Sequence, residues 1–193
     1  LAAPYSLLSQ TPLGHLGLEV AVREGQLGCQ PLDPVGPASL SVHPDGDIYV
    51  LDMVNSRIQV YGDGGHKRSI PLPKGYWEDL AFAPGGQLVV LDRLLRRAVV
   101  FLDTSGNLLR EAPVEGLGIP EASGITRLVG GEDGIWVQYE GNGCVRVALV
   151  DGSADSQRRM ALGVPIMSGQ EIIRGRISGE ATVTGLPSST GRK

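Results

Sequence analysis

LSVHPDGDIYVLDMVNSRIQVYGDGG, residues 40–65, is answered at an interval of 40 residues by LAFAPGGQLVVLDRLLRRAVVFLDTSG, residues 80–106. In both copies a short run rich in β-branched and aromatic residues ends in an acid, DIYVLD and QLVVLD. Turn residues bracket each run: PDGD, GDGG, PGGQ and DTSG. No segment keeps a helical apolar period over ten residues or more. The runs are apolar on both faces, as suits sheets sandwiched between neighbours rather than a sheet with one wet face. A repeat of about 40 residues built from such strands is the pattern of propeller blades.

A third, looser copy runs from Gly124, GITRLVGGEDGIWVQYEGNGCVRVALVDGS. Superposing the turn glycines Gly46, Gly86 and Gly134 brings the acids Asp52, Asp92 and Glu140 together, with a second interval of 48 residues. The extra length sits in EGLGIPEASG, a Gly/Pro-rich connection, where added loop costs little entropy. The expected strands are ASLSV, DIYVLD, RIQVYG and KRSIPLP in the first copy. They are DLAFA, QLVVLD, AVVFLD and LLREAPV in the second, and ITRLV, GIWVQYE, VRVALV and RRMALGV in the third. The predicted fold is all-β, a propeller or partial propeller of four-stranded antiparallel blades. A single domain of 1–187 divides into blades at 36–73, 76–114 and 124–164 and partial blades at 17–35 and 165–187, with a polar tail at 188–193.

The copies resemble NHL repeats, whose usual core is a Pro-Asp-Gly-type turn, an aromatic-containing strand ending in Asp, and an Asn-x-Arg-Ile-x-Val-aromatic segment. The first copy has Pro44, Asp45, Gly46, Tyr49, Val50, Asp52, Asn55, Arg57, Ile58, Val60 and Tyr61. The second keeps Pro84, Gly86, Val89, Asp92, Arg97, Val100 and Phe101, with Leu95 in place of the Asn. The third keeps Gly134, Trp136 and Val137, with Glu140 for Asp and Val145 for Arg. The resemblance covers residues 36–152. Its relatives include an amidating lyase, with gluconolactonase-type propellers as neighbours, so a ring of carboxylates in a channel is conceivable. Because Asp52, Asp92 and Glu140 recur in every copy, and Asn55, Arg57 and Arg97 accompany them, the structural reading is preferred: each acid holds its own hairpin turn or the neighbouring Arg.

No catalytic, cofactor or metal residues are assigned. His15, His43 and His66 stand apart, His43 just before the PDGD turn and His66 in the turn between the third and fourth strands of its blade, where solvent-exposed polar duty is the usual reading; no nucleophile elbow, phosphate-binding loop or Cys/His metal spacing occurs. Cys29 and Cys144 read as separate reduced thiols, Cys144 in the turn between the second and third strands of its blade. The net charge of −4 argues against nucleic acid as main partner, and no run of about 20 apolar residues spans a membrane. The basic cluster Arg93 to Arg97 reads as a solvated hairpin rim. Tyr76, Trp77, Arg93 and Arg96 are the candidate rim contacts, with Trp77 weighed as a plug between blades instead.

Three blades and two part-blades fall short of the roughly 4 to 8 of a closed ring, and open edges invite pairing. The segments Gly17 to Leu27 and Glu171 to Gly185 are therefore expected to pair with each other or to lie against another protein. The functional expectation is a non-catalytic protein-binding or structural module, a peripheral subunit or scaffold in an envelope or extracytoplasmic assembly. Export is suggested by the LAAPYSLLS start and by what NHL-like relatives commonly do. The alternatives are a fragment of a propeller lyase or lactonase, and a small-ligand sensor at the channel mouth.

Overall fold

The computed structural model describes residues 24–28, 36–140 and 143–162. These form twelve strands in three four-stranded antiparallel sheets, with no α-helix among the described residues. Sheet 1 holds β1 (Ser39–Val42), β2 (Ile48–Asp52), β3 (Arg57–Gly62) and β4 (Gly65–Pro71). Sheet 2 holds β5 (Asp79–Phe82), β6 (Leu88–Asp92), β7 (Ala98–Leu102) and β8 (Leu108–Pro113). Sheet 3 holds β9 (Ile125–Gly131), β10 (Gly134–Tyr139), β11 (Gly143–Ala148) and β12 (Met160–Leu162). Each sheet is a meander in chain order, and the first strand of the middle sheet, β5, lies against β1 on one side and β9 on the other. This is the radial arrangement of propeller blades. The expected part-blades and tail, and Cys29 and His15, fall outside the described residues apart from 24–28.

Alternation within the strands supplies two apolar seams. Tyr49, Leu51, Ile58, Val60 and Ile70 of sheet 1 meet Leu80, Phe82, Leu88, Val90, Val100 and Leu102 of sheet 2. The opposite face of sheet 2, with Ala81, Val89, Leu91, Val99 and Phe101, packs on Ile125, Leu128, Ile135, Val137, Val145 and Val147 of sheet 3. Sheet 2 is thus buried on both sides, which is why β6 and β7 contain no exposed residue.

Among the described residues one five-residue turn occurs four times, closing 43–47, 83–87, 103–107 and 149–153. In each the first N–H donates to the fifth carbonyl and a glycine N–H at the fourth position donates back to the first carbonyl, at 2.8–3.0 Å. Those glycines, Gly46, Gly86, Gly106 and Gly152, have φ between 78° and 93°, where a side chain is strained. The seam between sheets 2 and 3 needs a different glycine: a Cβ on Gly130 would lie 1.9 Å from the Phe82 carbonyl oxygen.

Several sequence expectations are corrected. Cys144 is a buried residue of β11, not of a turn, since it is paired on one side with Gln138 of β10 and on the other with Ala161 of β12. His66 lies on β4, where Nε2 contacts Gln59 Oε1 at 2.6 Å and the ring meets Tyr61 edge-on. His43 sits with its ring 4.8 Å from that of Phe82, joining the first turn of sheet 1 to sheet 2 rather than serving only solvent.

Val89→Asp would bury an unpaired charge between two sheets and should cost about 3–5 kcal/mol in urea unfolding. Gly130→Ala should cost about 1–3 kcal/mol by prising β9 from β5.

Candidate functional site

In an antiparallel meander the turns between second and third strands and the connections to the next sheet share one end. That end carries 53–56, 72–78, 93–97 and 114–124, and with them every candidate rim residue. Asp52 and Asp92, both fully buried, organise it. Asp52 Oδ2 accepts from Asn55 Nδ2 at 2.9 Å and Arg57 Nε at 3.0 Å, and Oδ1 accepts from Gly28 N at 3.0 Å. Asp92 Oδ1 accepts from Leu94 N at 3.0 Å and Leu95 N at 2.8 Å, while Oδ2 accepts from Tyr76 N at 2.9 Å. Each acid therefore ties its own turn to the chain segment that comes in beside it. Sequence reasoning found the first half of that duty; the second, through Gly28 and Tyr76, has no side-chain signal because the donors are backbone.

Register corrects two members of the motif. Arg57 pairs with Asp52, but Ala98 pairs with Asp92. The turn of sheet 2 is one residue longer, and Arg97 at φ 51° matches Ser56 at φ 49° rather than Arg57. Arg97 accordingly reaches Glu115, at 3.4 Å, and not Asp92. In sheet 3, Val137 pairs with Leu128 as Val90 pairs with Leu80, so Tyr139 takes the place of Asp92. Glu140 lies one residue beyond it, exposed, its N–H bonded to the Gly124 carbonyl. Tyr139 packs on the core there, with its ring over Gly124.

The rim candidates divide. Trp77 is buried in the first seam, its Nε1 donating to the Pro73 carbonyl at 2.9 Å, so the reading of it as a rim contact gives way to the plug. Arg96 lies over the Trp77 ring, bonds the Lys74 carbonyl and pairs with Glu111. Arg93 grips Glu78 through Nε at 2.8 Å and Nη2 at 2.6 Å, and its Nη1 donates to the Ile125 carbonyl at 2.5 Å. It is a staple between sheets 2 and 3, not a free solvated cation. Tyr76, Leu94 and Leu95 remain 44%, 53% and 68% exposed, and Leu117 in the next connection 63%.

Beside Arg93 opens a cleft of about 220 Å³ lined by Glu78, Asp79, Leu91, Ile125 and Thr126 among others. Pockets that enclose a drug-sized ligand usually exceed about 300 Å³, so this one suits a single side chain or a few-atom group. Asp79 forms its floor. Its Oδ1 accepts from Ser39 Oγ at 2.5 Å and from Leu80 N, and its Oδ2 accepts from Leu128 N at 2.7 Å, so one carboxyl touches all three sheets. Burial pushes the Asp79 carboxyl above its usual value near 3.8, outweighing the opposite pull of the Ser39, Leu128 and Leu80 hydrogen bonds. Among the described residues no three His, Cys, Asp or Glu side chains are placed to share a metal ion.

The three meander sheets are propeller blades, and NHL likeness is carried by the first of them. The NHL repeat profile matches residues 35–61, the first sheet as far as β3. No curated protein matches the chain. Among solved structures, virginiamycin B lyase from Staphylococcus aureus is similar at 22% identity and TM-score 0.46, over 71% of this chain and 44% of that one. YCF48 bound to D1 peptide is similar at 15% identity and TM-score 0.45, over 68% and 41%. A putative 6-phosphogluconolactonase from Bacteroides uniformis is similar at 14% and 0.45, over 81% and 50%. The chain spans about half the length of these proteins or less, and at such identities the likeness says nothing of activity.

Two outcomes follow from the acids. Asp52→Asn turns an acceptor shared by Asn55 and Arg57 into a donor and should cost about 1–3 kcal/mol. For Asp79 the folded value lies above the unfolded one, so its stabilising share is full below about pH 3.8 and is lost as pH rises through the folded value. Asp79→Asn should flatten the fall of Tm between acid and neutral pH, whereas Asp79→Ala should lower Tm at every pH.

Proposed function

We propose that this chain is a non-catalytic protein-binding module that docks through the loop face around the β6–β7 turn. The observation that carries it is the way Asp92 holds Leu94 and Leu95. Two backbone hydrogen bonds to one buried carboxylate oxygen fix the turn while both leucine side chains stand in solvent. Tyr76 and Leu117 extend the apolar surface, and Arg93 and Arg96 border it in fixed positions. Rigid apolar and aromatic side chains bordered by anchored arginines are what protein interfaces favour, since little entropy remains to be lost on docking. The cleft beside Arg93 would accept one partner side chain.

The carboxylates most easily imagined in catalysis support the same reading. Asp52, Asp79 and Asp92 each accept three hydrogen bonds from the fold itself. The alternative, part of a propeller lyase or lactonase, needs a reactive group from residues other than these. The module's place in an envelope or extracytoplasmic assembly rests on the habits of NHL-like propellers, and cell fractionation tests it.

Leu94→Ser/Leu95→Ser should leave Tm nearly unchanged, because both side chains are already in water. In size-exclusion separation of native extracts the wild-type chain should travel in a larger complex and the double variant alone. Identical complexes for both would sink the docking face. Turnover abolished by a single carboxylate substitution that leaves the fold intact would revive the enzyme.

A further inference from the structure

The cleft beside Arg93 joins an apolar wall of Ala38, Leu91 and Ile125 to two carboxyls, Glu78 and Asp79, and to the Thr126 hydroxyl. The two carboxyls are not equivalent. Glu78 is already paired: its Oε2 accepts from Arg93 N at 3.2 Å and Arg93 Nε at 2.8 Å, and its Oε1 from Arg93 Nη2 at 2.6 Å. Asp79 is held by neutral donors alone, Ser39 Oγ and Leu80 N on Oδ1 and Leu128 N on Oδ2. The attraction of Arg127 is the least of the influences on its carboxyl. A carboxylate offers about four acceptor sites, two on each oxygen. By that count one site is left on Asp79 Oδ2 and one on Glu78 Oε1. An arginine fork needs both oxygens of a single carboxylate, and neither acid has both to give. An ammonium has three N–H groups that can turn toward separate acceptors, with Thr126 Oγ1 as the third. Its aliphatic stem suits the apolar wall. Two acids against one guanidinium favour a cation over an anion.

We propose that the cleft is the receptor for a lysine side chain of the docked partner, its stem against Leu91 and Ile125 and its ammonium shared between Asp79 and Glu78. This names the partner's chemistry at the docking face and rests on that reading. Asp79 then gains a cation that its neutral donors do not supply, which offsets the cost of ionising it where it is buried. The same contact registers the partner at the point where the three sheets meet, since Asp79 bonds to all of them.

Methyl NMR of the full chain, with Nα-acetyl-lysine methylamide as probe and ionic strength held constant, tests it. The Ala38, Leu91 and Ile125 methyl signals should shift saturably. Binding should be about fivefold tighter than that of the uncharged norleucine analogue or of the arginine analogue, and Asp79→Asn should remove that advantage. Because Asp79 also latches the sheets, Ala38→Leu gives a second arm. It crowds the mouth of the cleft, leaves the hydrogen bonds of Asp79 in place, and should abolish the shifts at Leu91 and Ile125 without lowering Tm. Equal affinity for the norleucine or arginine analogue, or no saturation with any of the three, would overturn the proposal. Leu94→Ser/Leu95→Ser should leave lysine binding unchanged, because neither leucine lines the cleft. Complexes that depend on those leucines, without lysine binding, would sink this inference alone. Lysine binding with no complex that depends on them would sink the docking face and leave the cleft an ammonium site.

Discussion

One carboxyl, that of the half-buried Asp79, sits where the three sheets converge, and the arrangement of the blades turns on it. Apolar seams alone would let two sheets slide, since hydrophobic burial has no direction. Hydrogen bonds from Ser39 and from the Leu128 backbone fix the height and the angle at which sheets 1 and 3 meet sheet 2. The close approach of Gly130 to the Phe82 carbonyl and the Arg93 staple to the Ile125 carbonyl follow from that placement. Burial makes the same group costly to ionise, so the joint of the structure is also a site where stability depends on pH.

Around this joint the polar groups are directed inward. Arg158, buried and short of a carboxylate, is held by the carbonyls of Pro113, Val114 and Glu115, clamping the end of β8 to the loop before β12. Arg146 joins Asp133 and Asp155 under Trp136. Buried charges of this kind are costly to strand and specify geometry more than they add stability. The loop face is organised otherwise, with Asp92 fixing a turn whose apolar side chains stay in water.

The errors in the sequence reading have one cause. Asp52, Asp92 and Glu140 align as letters at regular intervals, but register depends on turn length, and one residue more or less moves every later side chain to the other face. The extra residue in the β6–β7 turn took Arg97 away from Asp92. The shorter β9–β10 turn put Tyr139, not Glu140, at the acid position. Nothing local marks these changes, because the left-handed position of either turn accepts Ser56 or Arg97.

Strand order, turn sites and the two-sided apolar character of β6 and β7 follow from the sequence alone, because alternation, β-branched residues and Gly-centred turns act over a few neighbouring residues. The repeat near 40 residues is enough to make them blades. Which carboxyl meets which donor was settled only in three dimensions: Asp79 gained partners 40 and 49 residues away along the chain, and Asp92 a backbone donor at Tyr76. Such bonds join segments whose separation carries no sequence signal, and backbone donors are common to nearly every residue, so only the packing of one sheet on another selects among them.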